Sequence, residues 1–568
     1  MDSEREGEGR VSMLREGRPG SAALQREVRG IVPLSGRDAV NTILDLDRPE
    51  EFVRSMARTD FYWLVKKVGE DDALPLLQLA SPEQWEHLLD MEIWERDRLS
   101  HSQASYWLER LLKASPTRVV RWFYAEGEEF CFHYMSQSIQ VEVRREDEAL
   151  DLPDGFFTLD NRYYFRILDK EHEEMIGDLL RRMAQEDHER YQAVLLGQVG
   201  VLPAEMEEEM YRVRNMRLAE DGFLPHEEAI SLYAYLRGDA LTKGSSSDVP
   251  ELPLRIDAES VIPVIPLLHV RGQHLLAEVS REVSDPLFLD RLRLEFAGLC
   301  NQMLSADMIR VSDAETLVRT CRRAAGYVGL GLESLSGGDV PSAERFLRDH
   351  PLVSIFRVGF GLTMELKWET ERWVKEAWYS RMGLGFDFWG EAWGRTLEGV
   401  LLKRPLQQGG ARGEEPRPFE HLSEIEECRA VLRQVFVMDR VCDSLTSSHL
   451  IDRRLLRDPL LTFHGLLFTF WARLRLNLAP GFEPVSLDDL KVLFHHLRGR
   501  EKGPPFTMKG FKKGFVQDFM KRGAGLAQVE RSVLRGVLSR LWDEFRDEHA
   551  WVALPDLDGR FSRFVVIK

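Results

Sequence analysis

Helix-start signals recur along this chain, and they limit its fold more than any other feature. Ser81-Pro82-Glu83-Gln84 combines a capping hydroxyl, a proline at the first helical position and a glutamine three residues after the cap. This pattern predicts a helix that begins at Pro82. Ser115-Pro116 and Ser312-Asp313-Ala314-Glu315 predict further starts, the second with Ser312 as the cap. Apolar residues at intervals of three or four follow many such signals, so the chain is predicted to be mainly α-helical and multi-domain.

A different pattern interrupts the helices near residues 137–168. Apolar and polar residues alternate from Ile139 to Val143, which is the period of a half-buried strand. Two further apolar runs flank Asp160-Asn161, a dipeptide suited to a hairpin turn. A small antiparallel sheet is therefore predicted within the helical chain.

The length of 568 residues exceeds what a single hydrophobic core supports, so several folding units are expected. Glycine-rich and polar stretches predict linkers over residues 241–253 and 405–417. The predicted division is a disordered tail (1–30), an array of short helices (31–136), a small sheet with acidic helices (137–240), a central helical domain (254–404) and a C-terminal helical domain (418–568).

The five cysteines are scattered and odd in number, and no two form a CxxC pair. This usage favours free thiols in a reducing compartment, so the protein is predicted to be cytoplasmic. The most apolar stretch, residues 460–472, is shorter than the roughly 20 residues that a membrane-spanning helix needs. No transmembrane segment is predicted.

The sequence contains residues that can bind metals, but no complete motif for a metal or a cofactor. His421, Cys428, Cys442 and His449 resemble a zinc set in type, but residues seven apart on a helix lie about 10.5 Å apart along its axis. A metal centre would need them all within about 2.3 Å of the ion. The chain also lacks a GxxxxGK[ST] loop, a dinucleotide fingerprint and a GxSxG elbow. The sequence therefore predicts no metal and no cofactor.

An aromatic cluster and a row of carboxylates stand out between residues 365 and 393. The tryptophans of the cluster are Trp368, Trp373, Trp378, Trp389 and Trp393. They are candidates for a ligand or partner pocket, although an interval of five around a helix equally favours tryptophans that join several helices in a core. Glu365 and Glu369 lie one helical turn apart and are candidate catalytic acids, with a surface ion-pair ladder through Arg372 as the alternative.

Charge is unevenly distributed along the chain. Residues 145–228 carry 22 acidic and 10 basic side chains, which suits a surface that attracts a basic partner. Residues 498–522 carry 8 basic and 2 acidic side chains, and the candidate contact residues there are Lys509, Lys512, Lys513, Lys521 and Arg522. This basic segment could contact nucleic acid or an anionic membrane, dock on the acidic segment, or form an amphipathic helix whose phenylalanines face inward.

Three segments carry a family resemblance: residues 221–229 (DGFLPHEEA), 388–393 (FWGEAW) and 401–405 (LLKRP). On these residues the chain resembles a bacterial family catalogued as a domain of unknown function. The resemblance implies a bacterial cytoplasmic protein and no particular activity. The short N-terminal helices also resemble, at a coarse level, the superhelical domain of magnesium transporters and the flagellar motor switch protein.

Three functions are compatible with these features. The first is a non-enzymatic scaffold or regulatory protein that binds a macromolecular partner, most simply a protein. The second is an enzyme whose site is assembled around residues 368–393. The third, less favoured, is nucleic-acid binding through residues 498–522.

Overall fold

The computed structural model describes residues 21–144, 153–198, 203–242, 261–270, 274–408, 415–499, 501, 503–508, 510–557 and 563–568. The chain divides into two compact units. Unit 1 comprises residues 1–234, 238–328 and 335–357, and unit 2 comprises residues 235–237, 329–334 and 358–568. Helices dominate both units, and the predicted mainly α-helical fold with a small antiparallel sheet is confirmed. The finer domain boundaries stay predictions, since much of both linkers and residues 1–20 lie outside the described residues.

Unit 1 is built from short helices in its first part and longer ones later. Its helices are Ser21–Ile31, Gly36–Leu44, Pro49–Ser55, Arg58–Val68, Leu74–Leu79, Pro82–Glu92, His101–Ala114, Pro116–Phe123, Glu128–Ser138, Glu173–Glu186, His188–Gly197, Pro203–Glu220, His226–Ala229, Gly238–Thr242, Ile265–Leu268, Leu275–Glu282, Pro286–Ala306 and Val340–Asp349. The helices Ala314–Ser336 and Leu352–Glu376 are each divided between the two units. The first helix covers the last ten residues of the segment predicted as a disordered tail.

Local capping determines several of these starts. Ser81 Oγ accepts the amide of Gln84 and the Gln84 side chain accepts the amide of Ser81, so the predicted capping box is confirmed. The predicted cap at Ser312 is wrong by one residue. Asp313 is the cap, and its carboxylate accepts the amide of Thr316 at 2.8 Å. A carboxylate is a stronger acceptor than a hydroxyl at the positive end of the helix dipole.

The predicted sheet has three antiparallel strands. Tyr163–Ile167 is central, between Ile139–Val143 and Phe157–Thr158. Asn161 adopts a φ of 58°, and the Asp160 carboxylate accepts the amides of Arg162 and Tyr163, which closes the turn. A second pair of strands, Trp94–Glu95 and Arg98–Leu99, forms a two-residue hairpin that the sequence pattern did not predict.

A buried carboxylate in unit 1 joins residues far apart in sequence. Asp60 is buried, and its two carboxylate oxygens accept the amides of Val264 at 2.7 Å and Ile265 at 3.1 Å. These amides begin the helix Ile265–Leu268, which lacks a side-chain cap from its own residues. Asp60 therefore supplies the acceptor that the short helix needs.

Unit 2 contains both long and very short helices. They are Trp378–Arg381, Gly390–Leu401, Leu422–Ser448, Arg453–Leu456, Phe463–Arg475, Leu487–Arg498, Phe511–Arg522 and Gln528–His549. Its core is rich in aromatic rings. Phe468 stacks on Phe515 and Phe545 at centroid distances of 4.7 and 4.6 Å, and Trp471 meets Trp542 edge to face at 5.4 Å.

The helical segment that begins at Leu352 is interrupted in unit 2. The helix ends at Glu376, and a separate helix Trp378–Arg381 follows. The reason is Asp439, whose buried carboxylate accepts the amides of Trp378 at 2.9 Å and Tyr379 at 3.0 Å. These two amides therefore cannot bond to carbonyls of the preceding turn, and a new helix begins.

Helix Leu422–Ser448 is continuous, with His421 and His449 at its two ends. Because of its length, the first and last residues of the candidate zinc set, His421 and His449, lie about 40 Å apart. In the described part of the chain no helix has the length and apolarity required to cross a membrane.

We expect removal of either buried aspartate to loosen only the short helix that it caps. A buried amide left without an acceptor costs about 1–3 kcal/mol. Amide hydrogen exchange followed by mass spectrometry should therefore accelerate at residues 264–268 in Asp60→Ala and at residues 378–381 in Asp439→Ala. Each variant is the control for the other, and equal acceleration of both segments in both variants would contradict the assignment.

Burial of Asp60 also predicts a pH dependence for unit 1. Desolvation raises the pKa of Asp60 from 3.8 to about 7, although the two amides and Arg293 oppose the shift. The folded state thus binds a proton at Asp60 more tightly than the unfolded chain does. Protonation of Asp60 therefore stabilises the folded state, and this contribution is complete below pH 3.8 and is lost as the pH rises through about 7. Exchange protection of unit 1, corrected for intrinsic rates, should decrease between about pH 5 and about pH 8, and less so in Asp60→Asn. A decrease of the same size in both proteins would assign the effect to other groups.

Candidate functional site

A cleft of about 320 Å³ opens on the surface of unit 2. Three elements form it: the start of the helix Gly390–Leu401, the start of the helix Phe463–Arg475, and the middle of the helix Gln528–His549. Its lining residues are Trp389, Gly390, Glu391, Ala392, Trp393, Arg395, Phe463, His464, Val537, Arg540, Leu541, Glu544 and Arg563. We call it the aromatic cleft.

Stacked rings form one wall of the aromatic cleft. Trp393 lies parallel to Phe463, with centroids 4.7 Å apart and an angle of 11° between planes. Trp389 packs behind both, at 6.3 Å from Trp393 and 5.7 Å from Phe463. Trp389 is fully buried, whereas Trp393 is half-buried. The accessible face of the wall therefore belongs mainly to Trp393.

A glycine brings a neutral histidine against this wall. Gly390 has φ 78° and ψ 169°, a conformation that only glycine adopts readily. A Cβ atom at this position would lie 3.3 Å from Cε1 of His464. Burial lowers the pKa of His464 to about 3, and the nearby Arg563 guanidinium contributes to the same shift. His464 is thus uncharged at neutral pH and presents an imidazole to the cleft.

The charges around the cleft are of both signs, and several are already paired. Glu391 lies 3.5 Å from the Arg395 guanidinium. Arg540 donates to the Gln434 side chain, and Arg563 pairs with Glu548. Glu544 is half-buried and forms no ion pair or hydrogen bond with other described residues. The rim therefore offers one carboxylate that is available to an external cation.

These features limit what the cleft can do chemically. Among the described residues that line it, none carries a hydroxyl, a thiol or an amine. Flat apolar rings with a mixed polar rim are typical of surfaces that receive a large side chain of a partner.

The structure brings only two of the five tryptophans that the sequence grouped together to the cleft, although Trp373 also lies 6.3 Å from Trp389. Trp389 and Trp393 line the cleft. Trp373 stacks on Phe436 at 4.6 Å, and Trp378 is buried against Phe388. Trp368 is 38 % exposed and packs against Tyr235. Trp368, Trp373 and Trp378 are five residues apart, and this interval distributes them around the helix and its break. They therefore do not share one surface.

The candidate acids lie outside the cleft. Both Glu365 and Glu369 are half-buried on the helix Leu352–Glu376. Glu365 accepts the hydroxyl of Tyr235 at 2.8 Å. Arg372, which the sequence placed between two glutamates, donates to the carbonyl of Trp368. Neither acid lines the cleft, and their catalytic role stays a prediction.

The basic segment combines paired and exposed groups. Lys512 pairs with Asp543 at 2.7 Å, and Arg522 lies over the ring of Phe470. Lys513 and Lys521 are exposed, whereas Lys509 lies outside the described residues. Two aromatic side chains of the segment, Phe515 and Phe519, are buried in unit 2 and stack on its core.

The sequence prediction missed several residues of the cleft, notably Phe463, His464 and Glu544. They come from helices that begin 70 or more residues after the tryptophans, so local patterns cannot connect them. One signal was present: His464 is a lone histidine within the most apolar stretch of the chain. A polar residue in such a stretch marks either a buried hydrogen bond or the edge of a cavity.

Comparison with protein families gives one match. The family described as "Family of unknown function (DUF6178)" matches residues 18–568, which is almost the whole chain. Neither the curated proteins nor the solved structures give a significant match.

We expect Gly390→Ala to destabilise unit 2 more than Gly383→Ala. Both glycines have positive φ, 78° and 74°, so each substitution carries backbone strain of about 1–3 kcal/mol, and the ψ of 169° places Gly390 in a region that is nearly restricted to glycine. Only the Cβ at residue 390 would also press on His464, since residue 383 has open space around it. Urea unfolding followed by exchange at unit 2 peptides measures the difference. Equal destabilisation of the two variants would contradict the expectation that a Cβ at residue 390 presses on His464.

Proposed function

Because the chain belongs to this family of unknown function, we propose its function from its own residues: a non-enzymatic helical protein that binds a protein partner through the aromatic cleft. One observation carries the proposal. Trp393 stands half-buried and stacked on Phe463 at the wall of a surface cleft, and the side chains that continue the cleft, Val537 and Leu541, are apolar. Such a slot suits a large apolar side chain that anchors an interface.

The charges specify the partner further. The three arginines that line the cleft already contact side chains of unit 2, whereas the Glu544 carboxylate has no partner among the described residues. We therefore propose a partner segment with an aromatic or large aliphatic anchor next to a lysine or arginine. The anchor would lie against Trp393, and the cation would contact Glu544.

The state of the cysteines supports a regulatory or scaffolding role in the cytoplasm. The five cysteines are unpaired and buried, as expected of a protein kept in a reducing compartment. The two acids that the sequence suggested for catalysis, Glu365 and Glu369, do not line the cleft, so they give no support to a catalytic role there. Nucleic-acid binding is less favoured because stacking on bases needs accessible rings, and two of the four phenylalanines of the basic segment, Phe515 and Phe519, are buried.

Selection of peptides on the full-length protein tests the proposal. Peptides from a random displayed library should share an aromatic or large aliphatic residue beside a basic one. Trp393→Ala should weaken binding of the selected peptides by tenfold or more, as expected for an anchor contact. Trp368→Ala is the matched control, because Trp368 is an exposed tryptophan of the same unit that does not line the cleft, and it should leave the affinity unchanged.

A separate variant tests whether binding requires the negative charge of Glu544. Glu544→Gln keeps the shape of the side chain and removes its charge, so it should weaken binding several-fold at low salt and little at high salt. Failure to select any common motif, or an equal loss in Trp393→Ala and Trp368→Ala, would overturn the proposal. Selected peptides recovered in cleaved or modified form would favour the enzymatic alternative.

A further inference from the structure

Unit 1 contains a second, different cavity. It has a volume of about 150 Å³ and lies between the helices Ser21–Ile31, Arg58–Val68 and Ala314–Ser336. Most of its lining is apolar, with Val28, Ile31, Met56, Leu64, Ile265 and Val318 contributing. Protein interiors rarely leave voids much larger than a water molecule. An apolar cavity of about 150 Å³ in another protein stays dry and binds benzene, so this volume suits one six-membered ring.

Two stacked rings form a flat wall of this cavity. Trp63 and His269 lie with centroids 5.4 Å apart and planes at 17°. Burial lowers the pKa of His269 to about 4, and the nearby Lys67 adds to the shift. The imidazole is therefore neutral at pH 7, and the wall as a whole favours a planar, apolar group.

Lys67 places a positive charge at the same cavity. Its ammonium donates to the carbonyls of Ile31, at 3.2 Å, and Val32. An ammonium has three hydrogens, so one remains. No carboxylate among the described residues pairs with Lys67, and burial lowers the pKa of its ammonium. A cation beside an apolar void, without a counter-ion, favours a ligand that brings its own negative charge.

Glu315, the other charged residue of the lining, limits the number of acidic groups that a ligand can carry. Glu315 is exposed at the cavity, and its carboxylate disfavours a second negative charge on the ligand. We propose that this cavity binds a small aromatic monocarboxylate of the size of benzoate, with its ring against Trp63 and His269 and its carboxylate on Lys67. This site is independent of the aromatic cleft of unit 2.

Binding of benzoate and of its neutral isostere benzamide to the full-length protein tests the inference. Saturation-transfer NMR and quenching of tryptophan fluorescence report binding of either probe. For ligands of this size we expect a Kd for benzoate on the order of 1 mM. Benzamide should bind more weakly, because it cannot form the ion pair.

Three variants locate the site. Lys67→Met keeps the aliphatic stem and should weaken benzoate binding about tenfold while leaving benzamide binding unchanged. Val318→Phe fills the cavity and should abolish binding of both probes. Lys113→Met removes an exposed lysine of the same unit and should change neither.

Each contrary result has a definite meaning. Absence of benzoate binding at about 10 mM, ten times the expected Kd, overturns the proposal. Unchanged benzoate binding in Val318→Phe also overturns it, and this variant leaves the contacts of Lys67 with the helix Ser21–Ile31 in place. An equal loss of benzoate and benzamide in Lys67→Met would restrict Lys67 to a structural role and overturn the assignment of the carboxylate.

Discussion

Carboxylate side chains that accept the first amides of distant helices are the contacts on which both units depend. Asp60 and Asp439 are buried and each accepts two such amides. Glu295 accepts the amide of Leu352, and Glu333 accepts that of Leu422, at the starts of two long helices. The first amides of a helix have no partner within the helix, and a carboxylate satisfies them while favouring the positive end of its dipole. These links fix where helices begin and how they are joined.

The sequence predicted those helix starts and turns that depend only on residues close together in the chain. The Ser81 box and the turn at Asn161 are complete within a few residues, so their patterns led to correct helix and strand positions. The break before Trp378 could not be predicted, because the acceptor that causes it, Asp439, lies 61 residues away. The cleft combines both kinds of residue: Trp389 and Trp393 belong to an aromatic segment that is visible in the sequence, whereas the opposite side comes from later helices.

The two cavities differ in the state of their charges. In the aromatic cleft of unit 2, the three lining arginines already contact neighbouring side chains, so the apolar wall and the Glu544 carboxylate are left for recognition. In the cavity of unit 1 a single ammonium meets an apolar void, with backbone carbonyls as its acceptors. A large slot with a mixed rim suits a segment of another protein, and a smaller, mostly apolar cavity with one ammonium in its lining suits a compact acid.

The link from Asp60 also bears on the order in which the chain folds. It joins residues 204 positions apart, whereas the link from Asp439 spans 61. The entropy lost in closing a loop grows with the logarithm of its length, so the longer closure costs about 1 kcal/mol more than the shorter. During synthesis on the ribosome, Asp60 therefore has no partner until a further 204 residues have been added. In the nascent chain the exposed carboxylate has its ordinary affinity for protons, and it acquires its unusual one only when the last part of the loop arrives.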